Sequence, residues 1–254
     1  MKKLSFYPLM TGSLLSCLIS FPVIGHSEDP AATFSSQQRK EIISIVRQAL
    51  KDDPTLLETG IQTLMKKKEQ QRASLSTQTI KEKKGLLLRQ LPTDGLMGDP
   101  NATTTIAEFY DPNCGYCKKM LPILIDLVKK HKDVKIILKV IPILSENSKL
   151  QSQAIIAATR QNNYVAMMRS LMTSQEDINL NTIKSIAQKL KLNVDQLVID
   201  MKADSVTNAL NGNLQLTHDL GIEGTPALII NGEHIIQGAI SYDNLEQVID
   251  KLNK

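Results

Sequence analysis

Phe109-Tyr110-Asp111-Pro112-Asn113-Cys114-Gly115-Tyr116-Cys117-Lys118-Lys119-Met120 places two cysteines three positions apart, and the chain's third, Cys17, stands far upstream. The residues before the run are β-prone, Pro112-Asn113 reads as a turn, and an apolar helical pattern follows. Cys114 therefore falls at the first turn of a helix. With no other thiol nearby, the pair is neither half of a four-cysteine zinc site nor part of a disulfide framework. Two thiols at this spacing can close on each other and reopen.

That chemistry needs one accessible sulfur with a lowered pKa, because the thiolate is the attacking species. Free amide N–H groups and the dipole at a helix start favour an anion at Cys114. Lys118 and Lys119 add positive charge at the surface. Cys117, one turn deeper, is placed to resolve a mixed disulfide. The bland reading is a structural disulfide within a turn, but so short a loop constrains the unfolded chain little.

Outward from the pair, Thr103-Thr104-Thr105-Ile106-Ala107-Glu108-Phe109-Tyr110 predicts a strand, residues 117–130 a helix, and residues 134–144 a second, almost unbroken apolar strand. Residues 147–220 read as helical throughout, with 197–220 as one segment. Strand character returns over 226–230, Asn231-Gly232 predicts a two-residue hairpin turn, and Ser241 caps a final helix. The order suits a central sheet with helices on both faces: an α/β protein with a helical insertion at about 147–220.

Upstream, residues 28–84 form a separate helical region. Ser35 with Gln38 is a capping-box start, and Asp53-Pro54 opens a second helix. Ile42, Ile43, Val46, Leu50, Leu56, Leu57 and Ile61 continue an apolar stripe. So short a segment buries little alone, and its expected partner is a sister subunit.

Residues 1–27 read as a secretory signal: Met1-Lys2-Lys3, an uncharged stretch over 4–25 and the small exit Gly25-His26-Ser27. Leu14-Leu15-Ser16-Cys17 is a passable lipobox, against which the residues after Cys17 stay apolar. Pro8 and Pro22 make the stretch a poor membrane anchor. Basic side chains number 30 against 26 acidic, and the leader takes Lys2 and Lys3 with it; with no Trp, nothing marks a nucleic-acid partner. His131, His218 and His234 lack ligand spacing, and the Met residues sit at helical core positions. Neither group supports a metal or cofactor.

The Glu108-Phe109-Tyr110-Asp111 lead, Cys114-Gly115-Tyr116-Cys117 and Gly224-Thr225-Pro226 together resemble the DsbA-like branch of thioredoxin-fold thiol:disulfide oxidoreductases. The likeness is greatest to helically extended bacterial members known as outer-membrane immunogenic proteins, and it covers about residues 34–254. It implies a thioredoxin-like fold, a periplasmic address and no cofactor beyond the Cys114–Cys117 disulfide. It also implies a cis peptide before Pro226, with Thr225 and Pro226 offering backbone groups to an extended substrate beside Gly115 and Tyr116.

The resemblance makes Glu108 a proton acceptor for Cys117; its bland alternative is a strand-end Glu satisfied by Lys139. Substrates would be cysteine-containing exported proteins, and a membrane partner would restore the pair. Two departures bear on direction. Gly115-Tyr116 replaces the Pro-His of the best-known oxidases, and Thr225, as in dimeric isomerases, stands where oxidases carry Val. Family potentials span about 150 mV, or roughly 7 kcal/mol. Oxidation, isomerisation or reduction, and a non-catalytic surface role for the scaffold, all stay open at this point.

Overall fold

The computed structural model of the protein describes residues 34–252, without the side chains of residues 69–77; the leader and Cys17 lie outside the described residues. The chain divides into two compact units, with the boundary between Gln62 and Thr63.

The first unit holds α1 (Ser36–Asp52) and the start of α2 (Thr55–Leu87). The capping box forms: Ser35 Oγ accepts from Gln38 N at 3.2 Å, and Gln38 Oε1 accepts from Ser35 N at 2.8 Å. Asp53 Oδ1 accepts from Thr55 N at 3.1 Å and so opens α2. No residue of α1 is buried. Ile42, Ile43, Ile45, Val46 and Leu50 are all exposed.

The second unit is built on a five-stranded sheet of β1 (Gly95–Gly98), β2 (Thr104–Tyr110), β3 (Val134–Val140), β4 (Ala227–Ile230) and β5 (His234–Gln237). The spatial order is β1-β3-β2-β4-β5. β2 and β3 are parallel, joined by the crossover helix α3 (Gly115–Lys130), and the other pairs are antiparallel. All seven residues of β2 are buried, as a central strand covered on both faces requires. Five helices fill the insertion: α4 (Glu146–Ala158), α5 (Tyr164–Thr173), α6 (Leu180–Lys189), α7 (Val194–Asp200) and α8 (Asp204–Asp219); α9 (Tyr242–Leu252) closes the chain.

Strand alternation splits the core in two. Ile106, Tyr110, Ile136, Leu138, Leu228 and Ile230 pack with Met120, Leu124 and Leu127 of α3 and Leu245 and Ile249 of α9. Ala107, Phe109, Ala227 and Ile229 face the other way, onto Ile80 and Leu87 of α2 and Leu216 and Leu220 of α8. The C-terminal part of α2 is thus core to the second unit.

Four sequence expectations change. The strand over 134–144 stops at Val140, because Pro142 has no N–H and the amides of Ile143 and Leu144 bond to Asp111 instead of to a neighbouring strand. The helix over 197–220 breaks at residues 201–203 into α7 and α8. The hairpin loop holds three residues, since Ile230 pairs with His234; Asn231 and Gly232 both take positive φ there. Lys139 is not the partner of Glu108. It lies in register with Phe109 and so points to the opposite face of the sheet, where its Nζ meets Asp94 Oδ2 at 2.7 Å. Both side chains are essentially inaccessible, a pairing in which either partner alone would be a buried uncompensated charge.

β1 was not expected. Its place against α5 depends on Gly95, where a Cβ would come within 2.3 Å of the Tyr164 ring.

Candidate active site

The chain leaves β2 at Tyr110, turns through residues 111–113 and enters α3 with Cys114 as N-cap. Asp111 makes the turn: its Oδ1 accepts from Asn113 N at 2.8 Å, and its carbonyl accepts from Cys114 N at 3.0 Å. Both cysteines are free thiols. Cys114 is 7 % exposed and Cys117 is fully buried on the inner face of α3.

Thr225 and Pro226 lie against the pair. Their peptide bond is cis, and the Cys114 thiol donates to Thr225 C=O at 3.3 Å. Thr225 Oγ1 is buried, and its hydroxyl favours the ionised form of both sulfurs. Burial by itself pushes the Cys114 thiol up. Hydrogen bonds from Thr225, from the Cys117 backbone and thiol and from the Tyr116 backbone outweigh it, and the net effect is a lowered pKa. Cys117 goes the other way. Burial drives it far above the usual thiol range, the nearby Glu108 adds to the rise, and the Asp111 amide offsets only part.

Glu108 lies two residues before Tyr110 on β2, its side chain on the same sheet face, and is 3 % exposed. Burial, then the charge of Cys114, raise its carboxyl to about 8. A carboxyl held near neutrality can both give and take a proton at working pH. Gly115 opens α3, where a Cβ would meet nothing within 4 Å, so no crowding demands glycine there. Tyr116 is 63 % exposed beside Lys119, whose Nζ stands 5.4 Å from the ring centroid.

The structure therefore brings Cys114, Cys117, Glu108, Thr225, Pro226, Gly115 and Tyr116 to one end of the sheet. It adds residues the sequence reading passed over. Asp111, fully buried, also accepts from Ile143 N at 2.9 Å and Leu144 N at 3.0 Å through Oδ2. The signal was an Asp ahead of a Pro-Asn turn. Tyr110 donates to Tyr164 Oη at 2.9 Å, and Tyr164 donates to Leu138 C=O at 3.1 Å, a buried hydroxyl pair with no local sequence signal.

The histidines are not gathered: His131 Nε2 pairs with Glu246 Oε1 at 2.9 Å, and no metal-binding cluster occurs among the described residues. A cavity of about 470 Å³ lies at Asp94, Thr159, Tyr164 and Arg169, and none of the cysteine-site residues line it.

Several solved structures are similar to this chain. A linker-deletion mutant of Proteus mirabilis ScsC is 27 % identical, with 87 % of this chain and 97 % of that one covered at a TM-score of 0.63. A periplasmic thioredoxin-like protein from Salmonella enterica serovar Typhimurium is 29 % identical over 66 % of this chain and 94 % of its own, with a TM-score of 0.58. The thiol-disulfide exchange protein alpha-DsbA2 from Wolbachia pipientis, at 24 % identity, shares the fold: TM-score 0.65, covering 71 % and 97 %.

A Na(+)/H(+) antiporter, NhaA 3 of Salinispora tropica, is 21 % identical over 141 residues, which are 55 % of this chain and 22 % of that protein. The chain thus spans about a fifth of that curated relative's length. The model of the DSBA-like thioredoxin domain matches residues 105–250, from within β2 through the cysteines and cis-proline into α9. By that match the chain belongs to the DSBA-like thioredoxin family, the family of thiol–disulfide exchange.

Proposed function

We propose that this is an exported thiol:disulfide oxidoreductase that forms or reshuffles disulfides in folding proteins. The observation that carries the reading is the inequality of the two sulfurs. Cys114 stands at the N-cap position of α3, its thiol against the Thr225 carbonyl and its pKa lowered, while Cys117 is sealed below with its pKa raised.

In the oxidising direction a substrate thiolate attacks Cys114 Sγ and the Cys114–Cys117 bond breaks. The electron pair leaves on Cys117, which Glu108 protonates. A second substrate thiolate then attacks the substrate sulfur of the mixed disulfide and expels Cys114 as thiolate. The substrate gains a disulfide, the pair takes two electrons, and a membrane redox partner must remove them. Thr225 and Pro226 pair with the extended substrate, with Gly115 and Tyr116 beside it.

Isomerisation or reduction with a resting dithiol is the second reading, favoured by the Thr225 side chain, which stabilises a thiolate at Cys114. A substrate-holding oligomer fits it. The uncovered stripe of Ile42, Ile43, Val46 and Leu50 supports assembly of several copies through residues 28–84. The address proposed is the periplasm, with lipid at Cys17 the alternative; no helix among the described residues is long and apolar enough to cross a membrane.

Refolding of reduced and of scrambled RNase tests these readings. Catalysis of the first alone marks an oxidase, and catalysis of the second an isomerase. Deleting residues 28–62 is expected to lower the native mass and the isomerase rate together. The deletion stops at Gln62 because Ile80 and Leu87 are core to the catalytic unit. Failure to catalyse either refolding would sink the proposal.

A further inference from the structure

Met120 is fully buried on α3, three residues beyond Cys117 and in the same apolar cluster as both cysteines. Leucine would fill the same volume, so what sets methionine apart at this position is its sulfur. That sulfur is used: Ile240 N donates to Met120 Sδ at 3.4 Å. Ile240 stands in the segment 238–241 between β5 and α9, so its N–H falls outside the β4–β5 ladder, which ends at Gln237.

The same segment carries a second tie. Gly238 turns the chain out of β5 with a φ of 88°, and its N–H donates to Pro226 C=O at 2.8 Å. Next to Pro226 is Thr225, whose carbonyl accepts from the Cys114 thiol at 3.3 Å. The contacts close a circuit: from Met120 to Ile240, back along the chain to Gly238, across to Pro226 and Thr225, and on to Cys114. Helix α3 joins Cys114 to Met120 and completes it. Ser241 Oγ, accepting from Asn244 N at 3.4 Å, holds the far end of the segment at the start of α9. The Ile240 side chain also packs on the core, but apolar packing has no direction. The N–H···S bond does, and it fixes how the segment sits on α3.

We infer that Met120 is a positioning residue for thiol exchange: its sulfur holds the 238–241 segment, and through Gly238 the Thr225–Pro226 segment, against Cys114. The inference rests on the proposed exchange and deepens it. Met120 acts through the backbone that faces the nucleophile. A thioether is a weak acceptor, so effects of several-fold are expected, not of orders of magnitude.

The test measures amide hydrogen exchange at Ile240 and the pH profile of Cys114 alkylation by iodoacetamide. Both use the reduced protein without residues 1–27, and so without Cys17. Met120→Leu keeps the volume and removes the acceptor. Ile240 exchange should quicken about five-fold. Alkylation on the acid side of the profile should slow about three-fold, because the Thr225 side chain that favours the thiolate is held less closely. At the alkaline plateau, where the sulfur is ionised in either protein, the rates should match. Leu124→Met, a swap of the same kind at another fully buried position of α3, should move neither reading.

Unchanged Ile240 exchange, an unshifted alkylation profile, equal slowing at every pH, or the same shift in Leu124→Met would overturn the inference. An ordinary thiol at Cys114 in the unsubstituted protein would sink the proposed exchange, and this inference with it. A lowered value there that Met120→Leu leaves in place sinks the role of Met120 alone.

Discussion

Cys114→Ser protein is expected to lose thiol exchange by about a thousand-fold or more, while Cys117→Ser protein stops after one half-reaction, joined to its substrate through Cys114. The asymmetry follows from position. Cys114 ends in the N-cap of α3, where the Thr225, Cys117 and Tyr116 groups favour its thiolate, so it is both attacking group and leaving group. Cys117 has no exposure to capture a substrate but lies where it can displace one. Non-reducing electrophoresis after mixing the reduced variants with scrambled RNase, where the Cys114 thiolate attacks an RNase disulfide to form the mixed disulfide and release one RNase thiol, reads the difference directly. A covalent adduct on Cys117→Ser and none on Cys114→Ser is the expected pattern; adducts on both, or on Cys114→Ser alone, would reverse the assignment.

Glu108→Gln should change stability and rate together. A carboxyl raised to about 8 in the folded protein keeps its proton where the unfolded chain, near 4.5, has released it. Between those values the unfolded state binds fewer protons, so stability falls as pH rises. The contribution is fully present below pH 4.5 and is gone once pH passes about 8. The difference is on the order of 3–5 kcal/mol, a large share of a domain's total.

Gln, neutral throughout, removes that slope. Urea unfolding at pH 5 and pH 8 should show wild type losing stability across the interval and Glu108→Gln losing much less. The same variant should slow transfer of electrons to and from Cys117 by about 10²-fold, since Gln neither gives nor takes the proton that the buried sulfur needs. Parallel pH slopes in the two proteins would remove Glu108 from the account.

The parts of this molecule legible in the sequence are those governed by local rules. The Ser35–Gln38 box, the turn before Cys114 and the apolar face of α3 each declare themselves within a few residues. What was hidden depends on register. Glu108 and Lys139 both read as buried charges on neighbouring strands, yet pairing Lys139 with Phe109 sends the two to opposite faces. Asp94, the true partner of Lys139, sits 45 residues away with no pattern to mark it.

The overlong strand reading had a similar origin. Ile141, Ile143 and Leu144 look alike in sequence, but Ile141 enters the second core and the other two are left in solvent. β1 is four residues with Gly at both ends, too short to show a period. Asp111 stood in the sequence only as part of the lead into the cysteines, and its grip on a loop over thirty residues downstream had no local signal.

Everything above depends on a single ionised sulfur over a neutral one. Following thiolate absorbance of the reduced protein without residues 1–27, and so without Cys17, across pH, with Cys117→Ser to assign the signal, tests it most directly. The account predicts one group ionising below the usual thiol range and its neighbour remaining protonated far above it. Two ordinary thiols titrating together, or a lone low transition that persists in Cys114→Ser, would contradict it.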